Sequence, residues 1–384
     1  MSDNSAAFHG ERLKSARYFN KMSISDLAKR VNISKQAISQ YETNKNKPKI
    51  NVLINLSSVL GFPSEYFYNR YKKPVISGQL FFLDEDVITN RERLALTERI
   101  QLFAAVFNTM SEYIEFPSLC LYELEKNNRL KADSIAQNLR NIWKLDNQPI
   151  LNLIDELERN GIVVVEFSDE TIGHSLSQFL VVDDKKMAVI VLNEKESNPF
   201  KRNFNLAYLL GYLLLDLITD FKGLEKNALN EKFIKRFAGA LLVPEETYRN
   251  DIMMSSKVDL DLYIQLQKKY CIPAYELIAR ARYLNFITQN QYQYLIRQLS
   301  QRRKFSREYD CGNIPVVNPR YLKEAMKMLV EESKLDNFIN LLEQNGVILT
   351  CDMIENILNL PKGYISLSTE KITDVRLRKK GSLC

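Results

Sequence analysis

Between residues 11 and 68, apolar positions recur three or four residues apart in short runs broken by small polar residues, the period of helices buried on one side. The pattern predicts five short helices. ERLKSARYF sets Leu13, Ala16 and Arg17 at helical spacing, and Ser23 stands where an N-cap would open ISDLAKRV, whose inward stripe is Leu27, Ala28 and Val31. Asn32 and Ile33 form a turn, and Ser34 caps KQAISQYE. In that segment Ala37, Ile38 and Tyr41 face inward, while Lys35, Gln36, Ser39 and Gln40 face out.

Farther on, YKKPVISGQLFFLDED (71–86) reads as a linker and hinge, and RERLALTERIQLFAAVFNTMSEYI as a long helix buried along Leu94, Leu96, Ile100, Phe103, Ala104 and Phe107. IAQNLRNIWKLDNQPILNLIDELERNGIVVVEF predicts two helices around a loop with Pro149, then a strand through the β-branched Val163, Val164 and Val165. SQFLVVDD and KKMAVIVLN predict a hairpin turning at Asp183 and Asp184. The small sheet leads into FNLAYLLGYLLLD (204–216), an apolar helix with no histidine, glutamate or cysteine. Residues 247–300 read as helical, QRRKFSREYD (301–310) as a solvated basic loop, NPRYLKEAMKMLVEESKLDNFINLLEQNGVILTCDMIENILNL as two or three further helices, and VRLRKKGSLC as a frayed terminus.

Composition narrows the class. With 384 residues, 45% of them hydrophobic and 26% charged, the chain has material for two or three packed domains. MSDNSAAFHGERLK lacks the apolar core of a signal peptide, and no stretch approaches the roughly 18 apolar residues of a membrane helix, so a cytoplasmic protein without a membrane partner is expected. Cys120, Cys271, Cys311, Cys351 and Cys384 are scattered without metal-ligand or disulfide spacing.

Charge is the sharper signal. Residues 1–73 hold 13 Lys and Arg against 5 Asp and Glu, a net of +8, whereas the remainder nets −2. A compact basic module points to a polyanion, and a short helix turning tightly into a second with polar residues at its start is the layout that enters the major groove of double-stranded DNA. There Gln36 and Gln40 could pair with adenine, Lys35 with guanine, and Ser34 and Ser39 with bases or phosphates. Asn44, Lys45 and Lys47 in NKNKPKI would meet the backbone phosphates.

GERLKSARYFNKMSISDLAKRVNISKQAISQYETNKNKPKINVLINLSSVLGFPSEYFY resembles the Xre, or lambda-repressor-like, helix-turn-helix family over its whole length. It departs at Ile24, where many relatives carry a glutamine that clamps a phosphate. LRNIWKLDNQPILNLIDELERNGIVVVEF, MAVIVLNEKESNPFKRNFNLAYLLGYLLLD and FIKRFAGALLVPEE in turn resemble the ImmA/IrrE family of zinc-peptidase-like domains, over roughly 130–250, which commonly follow an Xre-type reader.

Active members of that family carry HExxH, two zinc-binding histidines with a glutamate between them as general base. Aligning Phe204, Leu206, Ala207, Gly211 and Leu213 to the family framework puts the histidine positions at Tyr208 and Tyr212 and the glutamate position at Leu209. Counting back from Phe237 and Ala238 puts a further acidic ligand at Phe233. None of these side chains suits zinc, and the only histidines, His9 and His174, lie elsewhere. An unusual metal site built from Asp216, Glu225 and Glu231 is the alternative.

The expected organisation is multidomain: an all-α helix-turn-helix domain (1–73), a linker and long helix (74–126), an α+β zincin-like domain with a small sheet (127–250) and an α-helical C-terminal region (251–384). The expected function is a sequence-specific regulator, a homodimer on DNA, with a non-catalytic peptidase-like domain that senses a ligand or protein partner and needs no cofactor. Two alternatives stand beside it: an antitoxin or immunity-type protein repressing its own promoter, and an active zinc endopeptidase cleaving a repressor.

Overall fold

A computed structural model describes residues 7–83, 85, 87–121, 131–167, 173–193, 195–219, 228–254, 256–305 and 314–366. The chain begins with four helices, α1 (Gly10–Phe19), α2 (Ile24–Val31), α3 (Lys35–Glu42) and α4 (Ile50–Leu60), closed by a 3-10 turn at Ser64–Tyr68. Their starts follow the polar punctuation. Ser23 and Asp26 form a reciprocal capping box on α2, and the Ser34 hydroxyl accepts from the Ala37 amide on α3. Leu13, Ala16, Leu27, Ile38, Leu53, Leu56 and Phe67 meet in the centre.

Residues 71–86 are not the polar hinge expected of them. They contain β1 (Val75–Phe82), which pairs antiparallel with β3 (Leu176–Val182). The register slips between Ser77 and Leu80, a bulge that breaks the strict alternation by which a strand is recognised. The sheet runs β1-β3-β4-β2, with β4 (Lys185–Asn193) antiparallel to β3 and parallel to the edge strand β2 (Ile162–Phe167). Asp183 and Asp184 turn the β3–β4 hairpin with φ of 53° and 60°, the left-handed pair that a tight two-residue hairpin needs.

This sheet separates two apolar cores. Ile162, Val164, Phe179, Ala188, Ile190 and Leu192 face one way. Against them lie α6 (Ala132–Ile142), α7 (Leu153–Arg159), α8 (Pro199–Thr219), α9 (Ala228–Leu242), α10 (Glu245–Met253), α11 (Leu260–Tyr270), α12 (Ala274–Tyr283) and α13 (Gln289–Phe305). Val165, Phe167, Leu176, Leu180, Val182, Val189 and Val191 face the other way. Their partners are α5 (Asn90–Met110), α14 (Tyr321–Glu331), α15 (Leu335–Gln344), α16 (Cys351–Ile357) and the core of the N-terminal helices. Burial on both faces explains why β2 and β4 read as nearly continuous apolar runs.

The fold class is the one expected: an all-α N-terminal unit, an α+β middle with a four-stranded sheet, and further helices toward the C-terminus. The basic run 301–310 opens as the last turn of α13 rather than as loop; residues 306–310 and VRLRKKGSLC lie outside the described residues. No described helix is long and apolar enough to cross a membrane.

Candidate nucleic-acid interface and the face of helix α8

The start of α3 is presented by an internal scaffold. Arg17 of α1 and Glu42 of α3 form a buried, two-pronged ion pair, Nε to Oε1 at 2.6 Å and Nη2 to Oε2 at 2.9 Å, and the remaining Arg17 nitrogen donates to the Met22 carbonyl at 2.8 Å. Two parallel charge-assisted bonds fix orientation as well as distance. Gly10 packs so closely on the end of α3 that a Cβ there would lie 2.1 Å from the Tyr41 carbonyl oxygen.

On that scaffold Ser34, Lys35, Gln36 and Ser39 are exposed together at the first turns of α3, and Lys45 and Lys47 are exposed on the loop that follows. Two of the residues predicted beside them have internal partners. Gln40 is half-buried, and its Oε1 accepts from Asn46 Nδ2 at 2.9 Å, bracing the loop. Asn44, at φ 56°, turns its side chain back onto α1: Oδ1 accepts from the Gly10 amide at 2.6 Å and Nδ2 donates to Glu11 at 3.1 Å. It works as a cap for α1.

The sequence reading missed a neighbour from outside the module. The N-terminus of α5 lies beside that of α2, each closed by its own capping box, Thr89 with Glu92 and Ser23 with Asp26. Arg91 is 65% exposed and stands 3.5 Å from Asp26, while Lys21 stands 3.6 Å from Glu92. Hydrogen bonds from Ser23 and the nearby Arg91 charge hold the Asp26 carboxyl below its usual range. Two cations thus flank the start of α2, next to Ile24. Farther along α5, the Arg99 guanidinium lies 4.4 Å from the centre of the Phe19 ring, tying α5 to α1.

The face of α8 is differently made. Tyr208 and Tyr212, one turn apart, are buried with their rings edge to face at 5.4 Å, and Tyr212 stacks on Phe81 of β1 at 4.9 Å. Leu209 is fully buried, and its carbonyl accepts from the Ser177 hydroxyl at 2.9 Å. Phe233 of α9 packs partly buried against the same core. Gly211 lets α9 approach, since a Cβ there would sit 2.9 Å from Ile234.

Burial pushes both phenols up, and Glu231 and Glu276 add to the effect on Tyr208, so both remain protonated across the physiological range. Among the described residues the buried Tyr212 hydroxyl has no hydrogen bond of good geometry, and it interacts with the Tyr208 phenol. Glu276 itself is raised by burial to about 7. His174 lies at the other side of the sheet's end, with Nε2 3.8 Å from Glu92. Of the alternative acids, Glu225 lies outside the described residues, and no cluster of three or more His, Cys, Asp or Glu able to hold a metal occurs among the described residues.

A four-helix unit that displays a capped polar helix start, carried on an α+β body, belongs to the class of helix-turn-helix DNA-binding proteins. Residues 14–67 match the helix-turn-helix family, and residues 157–305 match the IrrE N-terminal-like domain. The chain therefore joins an Xre-like helix-turn-helix module to an ImmA/IrrE-like domain. The second match runs from α7 through α13, past residue 250. No curated protein and no solved structure matches the chain. The helix-turn-helix module supports a DNA-binding transcription regulator.

Proposed function

We propose that the protein is a sequence-specific transcriptional repressor whose ImmA/IrrE-like domain has given up peptidase chemistry and serves as a sensor or interaction domain. The observation that carries this reading is the exposed group Ser34, Lys35, Gln36 and Ser39 on a helix held rigidly by the buried Arg17–Glu42 pair. Ser34, Lys35, Gln36 and Ser39 read base edges; Lys45, Lys47, Lys21 and Arg91 contact phosphates; Gln40 and Asn44 act by positioning the α3 loop and α1. We propose a homodimer on DNA, which calls for half-sites about one helical turn apart, roughly 34 Å.

The loss of peptidase chemistry rests on the alignment of Tyr208, Leu209, Tyr212 and Phe233 with the zinc ligands and general base of active relatives. Protonated phenols, an alkyl chain and a phenyl ring bind zinc poorly or not at all. Recovery of the DNA bound in cells tests the regulator reading: a discrete operator, including the protein's own promoter, is expected, and the absence of any specific site refutes it. Metal analysis of the purified protein with a proteolysis assay tests the second part; stoichiometric zinc with peptide cleavage refutes it.

A further inference from the structure

A cleft of about 200 Å³ opens between the last turns of α5, the segment 116–119, the lower end of the sheet and the start of α14. Phe107, Phe116, Val163, Met187 and Leu322 give it apolar walls. A cavity of about 150 Å³ accommodates benzene, so this one has room for a monocyclic ring or a chain of roughly eight carbons.

Glu158, Lys185 and Lys186 are its charged lining residues, and Lys186 is turned to the other face of the sheet, its Nζ 4.1 Å from the centre of the Phe179 ring. Glu158 in the wall is buried, and its Oε1 accepts from the backbone amides of Arg320 at 3.2 Å and Tyr321 at 3.1 Å, so it is committed to the start of α14. Lys73, which does not line the cleft, is held by Glu112 and Asp183, each at 3.0 Å. Lys185, which lines the cleft, is exposed, and no acid among the described residues forms an ion pair with it. An apolar interior with an uncommitted ammonium at its mouth complements a molecule with an apolar tail and an anionic end.

We propose that this cleft binds a small apolar monocarboxylate, its tail against Phe107, Phe116 and Met187 and its carboxylate at Lys185, and that α5 conveys occupancy to the DNA-reading module. The second half rests on the regulator reading above. The route is physical: the C-terminal turns of α5 wall the cleft, while Arg99 and Glu92 on the same helix contact Phe19 and Lys21 of the reader. A shift of α5 as its last turns pack on a bound tail would therefore reach its contacts with α1.

Calorimetric titration of the full chain with octanoate, octan-1-ol and octylamine tests the proposal. Octanoate is expected to bind in the sub-millimolar range, roughly what ten non-hydrogen atoms support. Lys185→Ala should weaken octanoate five- to tenfold and leave octan-1-ol unchanged. Ser111→Trp, at the exposed rim, should block both while leaving the melting temperature unaltered. Saturating octanoate should change the affinity for the operator recovered from cells at least threefold in the unmodified protein and not in Ser111→Trp.

Failure of octanoate to bind, binding indifferent to both variants, or octylamine binding as well as octanoate would overturn the site. Binding that leaves operator affinity unchanged would overturn the coupling. A protein that binds its operator but ignores octanoate loses only this inference; one that binds octanoate but no specific DNA loses the regulator reading and keeps the site.

Discussion

Glu42→Gln and Arg17→Met probe whether the reading helix is held in place by the buried pair. Both side chains are 5% exposed, and the guanidinium makes two bonds to the carboxylate and one to the Met22 carbonyl. Glu42→Gln removes the charge and leaves a buried guanidinium facing a neutral amide, which by analogy with other broken buried pairs costs about 3–5 kcal/mol. Arg17→Met strips the partner from Glu42 and frees the Met22 carbonyl, with a loss of similar size.

Replacing both together as Arg17→Met with Glu42→Leu removes the unpaired charge, so the double variant should lose less than the sum, with a coupling of about 2 kcal/mol or more. The assay is urea unfolding of the full chain alongside operator binding by fluorescence anisotropy. The singles should weaken operator binding more than tenfold at a temperature where the apolar double variant still binds. If either single variant loses under 1 kcal/mol, or the two losses add, the pair is not what orients α3.

Arg91→Ala should weaken DNA binding severalfold and reduce the dependence of log affinity on log salt by about one unit, with base preference and stability unchanged because the side chain is exposed; an unaltered salt slope would refute a phosphate contact. Gln36→Ala is expected to lose about 1–3 kcal/mol and to relax preference at one base pair, whereas Lys47→Ala should weaken all sequences evenly; selection from a randomised operator pool checks the contrast. Glu158 has its carboxyl raised to about 7 by burial, against the lowering pull of the Tyr321 and Arg320 amides. A raised acid contributes stability below its ordinary value near 4.5 that is lost as pH climbs to about 7, so Glu158→Gln should gain on the unmodified protein by up to about 3 kcal/mol between pH 4.5 and pH 8. Urea midpoints of the two proteins that run parallel across that interval would sink the prediction.

Helices α2 and α3 are legible because each carries its own signals, Ser23 and Ser34 as caps and apolar residues at helical spacing. The β3–β4 hairpin is legible for the same reason, since Asp183 and Asp184 interrupt two apolar runs. β1 is not. Its Gly78 and the bulge after Ser77 destroy the period of two, and its pairing partner lies a hundred residues away. Arg17 falls at helical spacing with Leu13 and Ala16, but its partner is not legible; only the crossing of α1 over the end of α3 makes Glu42 the other half of a buried pair. Asn44 shows a second role that its residue type does not announce. Its type and loop position suit a phosphate contact, but an amide side chain serves equally well as a helix cap, and the start of α1 is close enough to claim it. Arg91 was invisible because its contact with α2 is set by the packing of α5, far from the motif in sequence.

The α8 face follows from the same dependence of residue type on surroundings. If Tyr208, Leu209, Tyr212 and Phe233 stand where two histidines, a base and an acid stood, each change alone would have left its former partners buried without a metal or a hydrogen bond, a loss of about 1–3 kcal/mol per polar group. Replacing the set together avoids that, because phenols and apolar groups need no ion. The rings then find partners of their own, edge to face with each other and stacked on Phe81 from β1. Reinstalling a lone glutamate at Leu209 would place a carboxylate at a position with no exposure, where burial favours its neutral form. The present packing therefore resists a stepwise return to metal binding: Phe81 would have to leave Tyr212 before a ligand at that position had anything to bind.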